Sequence, residues 1–135
     1  MEIDKSIYTL HKYFIWADRM RIHFDNVLKI GVEGYDSKGM FDIEWNIYMS
    51  YWYAGMYVLI EGWKEMRLQD SRVDALLKSS NVDLLRRYRN GVCHFQANYW
   101  DDRFLDFIKS QDSVPWVREL REAFSDFFLR SFGKI

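Results

Sequence analysis

The chain has 135 residues, 49% of them hydrophobic and 19% aromatic, with a net charge of −1. That length suits one domain around a single core, and the apolar load excludes intrinsic disorder. Near-neutrality excludes a global attraction for nucleic acid, so any affinity for RNA has to come from a local patch. A single cysteine excludes an intrachain disulfide and fits a reducing cytoplasm. The N-terminus is charged and amphipathic, without the apolar segment of a signal peptide. The longest uncharged apolar run, 45–60, falls short of the ~20 residues a membrane span needs, and Asn46 and Ser50 interrupt it. A soluble, cytoplasmic protein is expected.

One proline and glycines clustered mainly between elements favour long helices over a turn-rich β fold. The first helix is expected from about Glu2 to Ile30. Ile7, Leu10, Phe14, Ala17, Phe24 and Leu28 recur at helical spacing, with Lys12, Arg19 and Asp25 between them. His11 and His23 lie on this helix and read as surface or packing residues. Residues 31–39 form a glycine-rich loop. A second helix is expected from Asp42, a good N-cap, to about Leu68. It carries two apolar stripes: Ile47, Ala54 and Val58 on one, Trp45, Tyr48, Trp52 and Leu59 on the other. Two stripes mark a central helix, or one whose second face meets a partner. Gly55 and Gly62 would admit another backbone at close range. Glu61 falls near the first stripe, as a structural salt bridge or as an acid that orients Arg89 or His94.

Residues 69–71 make a break, followed by a short helix through Val73, Leu76 and Leu77. A second break at 79–81 caps the next helix, expected from Val82 to about Ser110 with a kink or break at 101–103. Ser113 and Pro115 open the last helix, whose inner face is Trp116, Leu120, Phe124, Phe127 and Phe128, with Gly133 as its C-cap. The fold class is therefore all-α, with four main helices and a short one.

The helix beginning at Val82 carries the candidate chemistry. Leu84, Leu85, Tyr88, Val92, Phe95 and Tyr99 make a core-facing ridge at helical spacing. At about 100° per residue, Arg89, Asn90 and His94 fall on the opposite side. Asn90 and His94 nearly stack, while Arg89 needs its long side chain, or a distortion at Gly91, to converge on His94. Cys93, Ala97 and Trp100 share that outer side, so the helix has a second partner, read as the same face of another copy.

An imidazole titrates near neutral pH, which suits His94 to proton transfer. A guanidinium stays charged and donates in a planar fork, which suits Arg89 to a phosphate. Asn90 would orient His94 or a phosphate oxygen. Groups of this kind need no metal where the substrate carries its own nucleophile, as RNA does in its 2′-hydroxyl. One histidine does not easily act as both base and acid, and a two-fold dimer supplies the second. Arg86, Arg87 and Arg103 would form a local basic surface, with Tyr99 and Trp100 stacking on bases. No histidine pair or Cys-x-x-Cys has metal-ligand spacing, and no cofactor is indicated.

The stretch Arg89-Asn90-Gly91-Val92-Cys93-His94, followed by Phe95, resembles the Arg-polar-x3-His form of the R-x4-6-H motif of HEPN domains. The resemblance implies a HEPN-like, four-helix-bundle-like domain over the whole chain. It also implies, as in many motif-bearing members, a metal-independent endoribonuclease with one site shared across a homodimer, as in toxins and defence effectors. A partner antitoxin or other regulatory protein is compatible with it. HEPN toxins silenced by a partner nucleotidyltransferase commonly carry a tyrosine two positions after the histidine. Here Gln96 stands there, and Tyr99 does not match. The alternatives are a non-catalytic HEPN-like module that binds a protein, nucleotide or RNA through the same face, and a plain helical oligomer.

Overall fold

The computed structural model describes residues 5–133 and is all-α. Its six α-helices are α1 (Lys5–Ile30), α2 (Lys38–Glu65), α3 (Ser71–Leu76), α4 (Asn81–Cys93), α5 (Asp102–Ile108) and α6 (Ser113–Phe132). The expected start of the first helix at Glu2 lies outside the described residues. None of the described helices is long and apolar enough to cross a membrane.

Helix α2 starts earlier than Asp42. Ser37 is extended, and its Oγ accepts the Met40 N–H at 3.1 Å, which is the N-cap. Asp42 lies a turn inside, where it holds Lys38 and the Trp45 indole N–H. At the other end Arg67 adopts φ 54°, a left-handed turn that stops the helix before Leu68. Asp70 caps α3 by accepting from the N–H groups of Arg72 and Val73.

The core is built around α2. Trp52, Tyr53, Met56, Leu59, Ile60 and Trp63 are buried on it; Trp52 and Leu59 come from the second apolar stripe, and of the first stripe Ala54 is buried while Ile47 stays 44% exposed. Helix α1 runs antiparallel to it, with Ala17 against Gly55 and Leu10 against Gly62. A Cβ on Gly55 would come 2.9 Å from that of Ala17, so glycine is what lets the two backbones approach. Leu10, Phe14, Ala17 and Val27 are the buried face of α1, and Leu28 points outward instead. Trp116, Leu120, Phe124 and Phe128 of α6 close the core, with Phe127 partly buried. Polar bonds fix α6 to α1: Arg121 holds Asp18 at 2.9 Å and Arg118 holds Asp25 at 2.7 Å.

The helix expected from Val82 to Ser110 is in fact two. Helix α4 ends at Cys93, and His94 is its C-cap in an extended conformation (φ −126°, ψ 133°). Residues 94–101 form a loop, and Asp101 caps α5 by accepting the Arg103 N–H at 2.9 Å. The physical reason is burial of Phe104 and Phe107. A straight helix would carry Phe104 roughly 20 Å along the axis from Gly91. Folding back instead places its ring 5.2 Å from that of Tyr88, and the Phe107 ring 5.9 Å away. Gly91 permits this, since a Cβ there would lie 2.9 Å from the Phe104 ring. The fold-back overturns part of the expected inner ridge. Leu85 and Tyr88 are buried, but Phe95 is 95% and Tyr99 67% exposed.

Candidate functional site

Arg89 stands on the last turns of α4, against α2. Its Nη1 donates to Glu61 Oε1 at 2.8 Å and its Nε donates to Asn90 Oδ1 at 3.0 Å. The guanidinium carbon lies 4.9 Å from the centroid of the Tyr57 ring. Tyr57 and Glu61 are four apart on α2, so one face of that helix presents both. Three neighbours thus fix the plane of the guanidinium, while Nη2 makes no hydrogen bond among the described residues. Burial, with the Glu61 charge adding to it, raises the Tyr57 hydroxyl above its ordinary value, so it stays protonated beside the pair.

His94 stands just past the end of α4 and not within a continuing helix, as the spacing predicts it would. The His94 backbone N–H still makes the last helical bond, to the Asn90 carbonyl at 3.1 Å. Its imidazole is exposed and contacts no polar partner among the described residues. The Asn90 side chain is turned to Arg89, so Asn90 orients the arginine rather than the histidine. Arg89 and His94 are nonetheless both presented at the C-terminal end of α4.

The arginines expected to form a basic surface each have an acid. Arg86 pairs with Asp83 at 2.8 Å, Arg87 with Asp106, and Arg103 with Asp101 at 3.1 Å. Such exposed pairs contribute little to stability. Gln96 ties the loop together, donating to the His94 carbonyl at 2.9 Å and accepting from Arg103 at 3.1 Å.

Cys93, Ala97 and Trp100 do not lie along one helix face. Cys93 is the exposed last residue of α4, and the other two lie in the loop. Trp100 makes an edge contact with Tyr99 at 5.0 Å and lines an apolar hollow with Trp45, Met49, Leu105 and Ile108. Among the described residues, no three His, Cys, Asp or Glu side chains are grouped to hold a metal ion. His11 packs among Phe14, Phe128 and Phe132, and burial lowers its pKa. His23 stacks on Tyr48. Both are packing residues.

Beside Arg89 lies a groove of about 400 Å³ between α1, α2 and α4, lined by Tyr13, Trp16, Tyr51, Val58, Arg89 and Cys93 among others. The Lys12 ammonium sits 5.1 Å from the ring centroids of both Tyr13 and Trp16. The motif's spacing does not single out these residues. Their one signal is a second, minor 3–4 repeat on α1, Tyr13, Trp16 and Met20, beside the main stripe. Compared with protein families, with curated proteins and with solved structures, the chain matches none.

Proposed function

We propose that this chain is a metal-independent endoribonuclease that works as a homodimer, akin to HEPN toxins or defence effectors. The observation that carries the reading is the clamped Arg89, its Nη2 unbonded among the described residues, on the helix that leads into the exposed His94. A guanidinium held in plane is preorganised for a phosphate oxygen. An exposed imidazole is accessible to a sugar hydroxyl and to solvent protons.

In this reading His94 of one copy removes the proton of a 2′-hydroxyl, whose oxygen attacks the adjacent phosphorus. Arg89 stabilises the negative charge that builds on the phosphorane. His94 of the second copy gives a proton to the departing 5′-oxygen. The products are a 2′,3′-cyclic phosphate and a 5′-hydroxyl, so protons balance and no oxidant or water is consumed.

Exposed apolar side chains on the loop after α4 and on the α2 face beside it support a second copy: Ile47, which shares a hollow with Gly91 and Val92, is 44% exposed, Trp100 47% and Phe95 95%. Arg86, Arg87 and Arg103 exchange their carboxylates for RNA phosphates on binding. Gln96 is occupied within the loop. With Gln96 and not a tyrosine there, this position offers no hydroxyl for a partner nucleotidyltransferase to modify. The reading places the protein in the cytoplasm, with its RNA.

The test is cleavage of a labelled RNA by wild type and Arg89→Lys, with the product ends analysed. Cyclic phosphate ends from the wild type, and a steep loss in the variant, are expected. Fragments with other ends would overturn the mechanism. One observation favours a second reading, a non-catalytic module that binds a protein through the same face: each flanking arginine is already neutralised by an acid, which weakens the surface as a phosphate ligand. That reading predicts neither fragments nor tight RNA binding.

A further inference from the structure

We infer that the groove between α1, α2 and α4 is a stacking site for one base of single-stranded RNA, whose neighbouring phosphate lies on Arg89. The inference deepens the proposed function and rests on Arg89 as the phosphate ligand. Tyr13, Trp16 and Tyr51 wall the groove, and its other lining is almost entirely aliphatic. Trp16 is 57% and Tyr51 59% exposed, so neither ring is needed to fill the core. The space, about 400 Å³, lies within the roughly 300–1,000 Å³ of small-molecule sites.

Charge decides the occupant. Arg89 lines the groove, paired with Glu61 through Nη1 but with Nη2 unbonded among the described residues, and the Lys12 ammonium lies 5.1 Å from the centroids of the Tyr13 and Trp16 rings that wall it. An apolar slot with a cationic side chain in its lining and another beside its rings complements a ligand that is flat, aromatic and anionic at its ends, which describes a nucleotide within a strand. The Lys12 ammonium lies against the same two rings that a base would stack on. Base stacking on an aromatic side chain outweighs an exposed cation–π contact, so Lys12 swings to the next phosphate. With so few polar groups in the lining, the slot reads the face of a base and not its edge. Binding tolerates all four bases and favours purines, which stack more strongly.

The probe is a short fluorescent 2′-O-methyl oligoadenylate, whose blocked 2′-oxygen removes cleavage from the measurement. Binding by anisotropy is compared for wild type, Trp16→Leu, Trp16→Phe, Tyr51→Leu and Lys12→Gln. Each leucine variant is expected to bind about tenfold more weakly, while Trp16→Phe, which keeps a ring, stays within about threefold. Lys12→Gln is expected to flatten the salt dependence by about one phosphate contact. Trp16→Gln stands in for a leucine variant that loses its helical signal. Leucine variants that bind like wild type would overturn the inference. So would a change in their sedimentation, which would make the groove a contact between copies, or a wild type that binds no oligonucleotide at micromolar concentration. Cleavable RNA is assayed in parallel. A wild type that binds through Trp16 and Tyr51 yet cuts nothing leaves the groove standing and the nuclease reading fallen. A wild type that cuts while the leucine variants bind normally does the reverse.

Discussion

Glu61 on α2 and Arg89 on α4 meet in an ion pair of 2.8 Å, 28 residues apart in sequence and flanked by the Tyr57 ring. The acid read from the sequence as either a structural salt bridge or an orienting group is the residue that holds the motif arginine. The Glu61 side chain is 48% exposed and Arg89 23%, so the pair contributes little to stability, at most about 1 kcal/mol. Its effect is on where the guanidinium points.

Glu61→Gln is therefore expected to leave the melting temperature nearly unchanged while separating binding from turnover. Removing a negative charge beside Arg89 lets RNA bind as tightly as before or tighter. Loss of the clamp lowers the single-turnover rate by about 10- to 100-fold. A variant with equal losses in stability and binding and no change in rate would make the pair purely structural.

Arg89→Lys keeps the charge but cannot hold Glu61, Asn90 and a phosphate in one plane, so its rate is expected to fall by about 100-fold or more. Arg86→Ala and Arg87→Ala act only on RNA affinity, each reducing the slope of binding against salt by about one contact. Rate measurements at saturating RNA, with titrations at several salt concentrations, separate the two behaviours. Small equal effects from all three would mean a general basic patch.

Phe95, almost fully exposed on the loop after His94, supplies the test of the composite site. Phe95→Asp removes no core contact, so helical content and melting temperature should match wild type. Sedimentation should shift from dimer to monomer and cleavage should be lost together with the dimer. A monomeric variant that cuts at the wild-type rate would mean that each copy holds a complete site.

Acid should loosen α6 from α1. Burial acts to raise the Asp18 pKa, but hydrogen bonds from Arg21 and Arg121 outweigh it, and the net shift is downward. The Asp25 pKa is lowered mainly by its hydrogen bond from Arg118. A carboxylate depressed in the folded state contributes stability that is present above its unfolded pKa of about 3.9 and is lost as pH falls through the folded value. Asp18→Asn is expected to cost about 1–3 kcal/mol at pH 7 and to flatten the acid limb of the stability curve. Urea unfolding at pH 7 and at pH 3 checks both. An acid limb unchanged in Asp18→Asn would place the pH-sensitive contact elsewhere.

The all-α architecture was legible because it rests on local signals. Single stripes of apolar residues, the break at 69–71, Ser113 with Pro115 and Gly133 all mark helices that the structure contains. What misled was a pattern that continued past its element. Leu85, Tyr88, Val92, Phe95 and Tyr99 keep helical spacing, yet only the first three belong to α4. Burial of Phe104 and Phe107 against Tyr88 is a long-range effect, and it outweighs the periodicity of residues 94–99. The candidate site was legible as far as its residue types. Glu61 was visible as an acid near an apolar stripe, whereas its pairing with Arg89 depends on how α2 meets α4. The aromatic groove was not legible, because Tyr13, Trp16 and Tyr51 come from two helices whose crossing depends on Gly55.

The most direct measurement incubates a labelled RNA in EDTA with wild type and with His94→Ala, matched for helical content. Since His94 is exposed at the end of α4, its removal should leave the fold intact. The account predicts fragments with 2′,3′-cyclic phosphate and 5′-hydroxyl ends from the wild type, and none from His94→Ala. Cleavage that appears only when a divalent ion is restored, or that is equal in the two proteins, would contradict it.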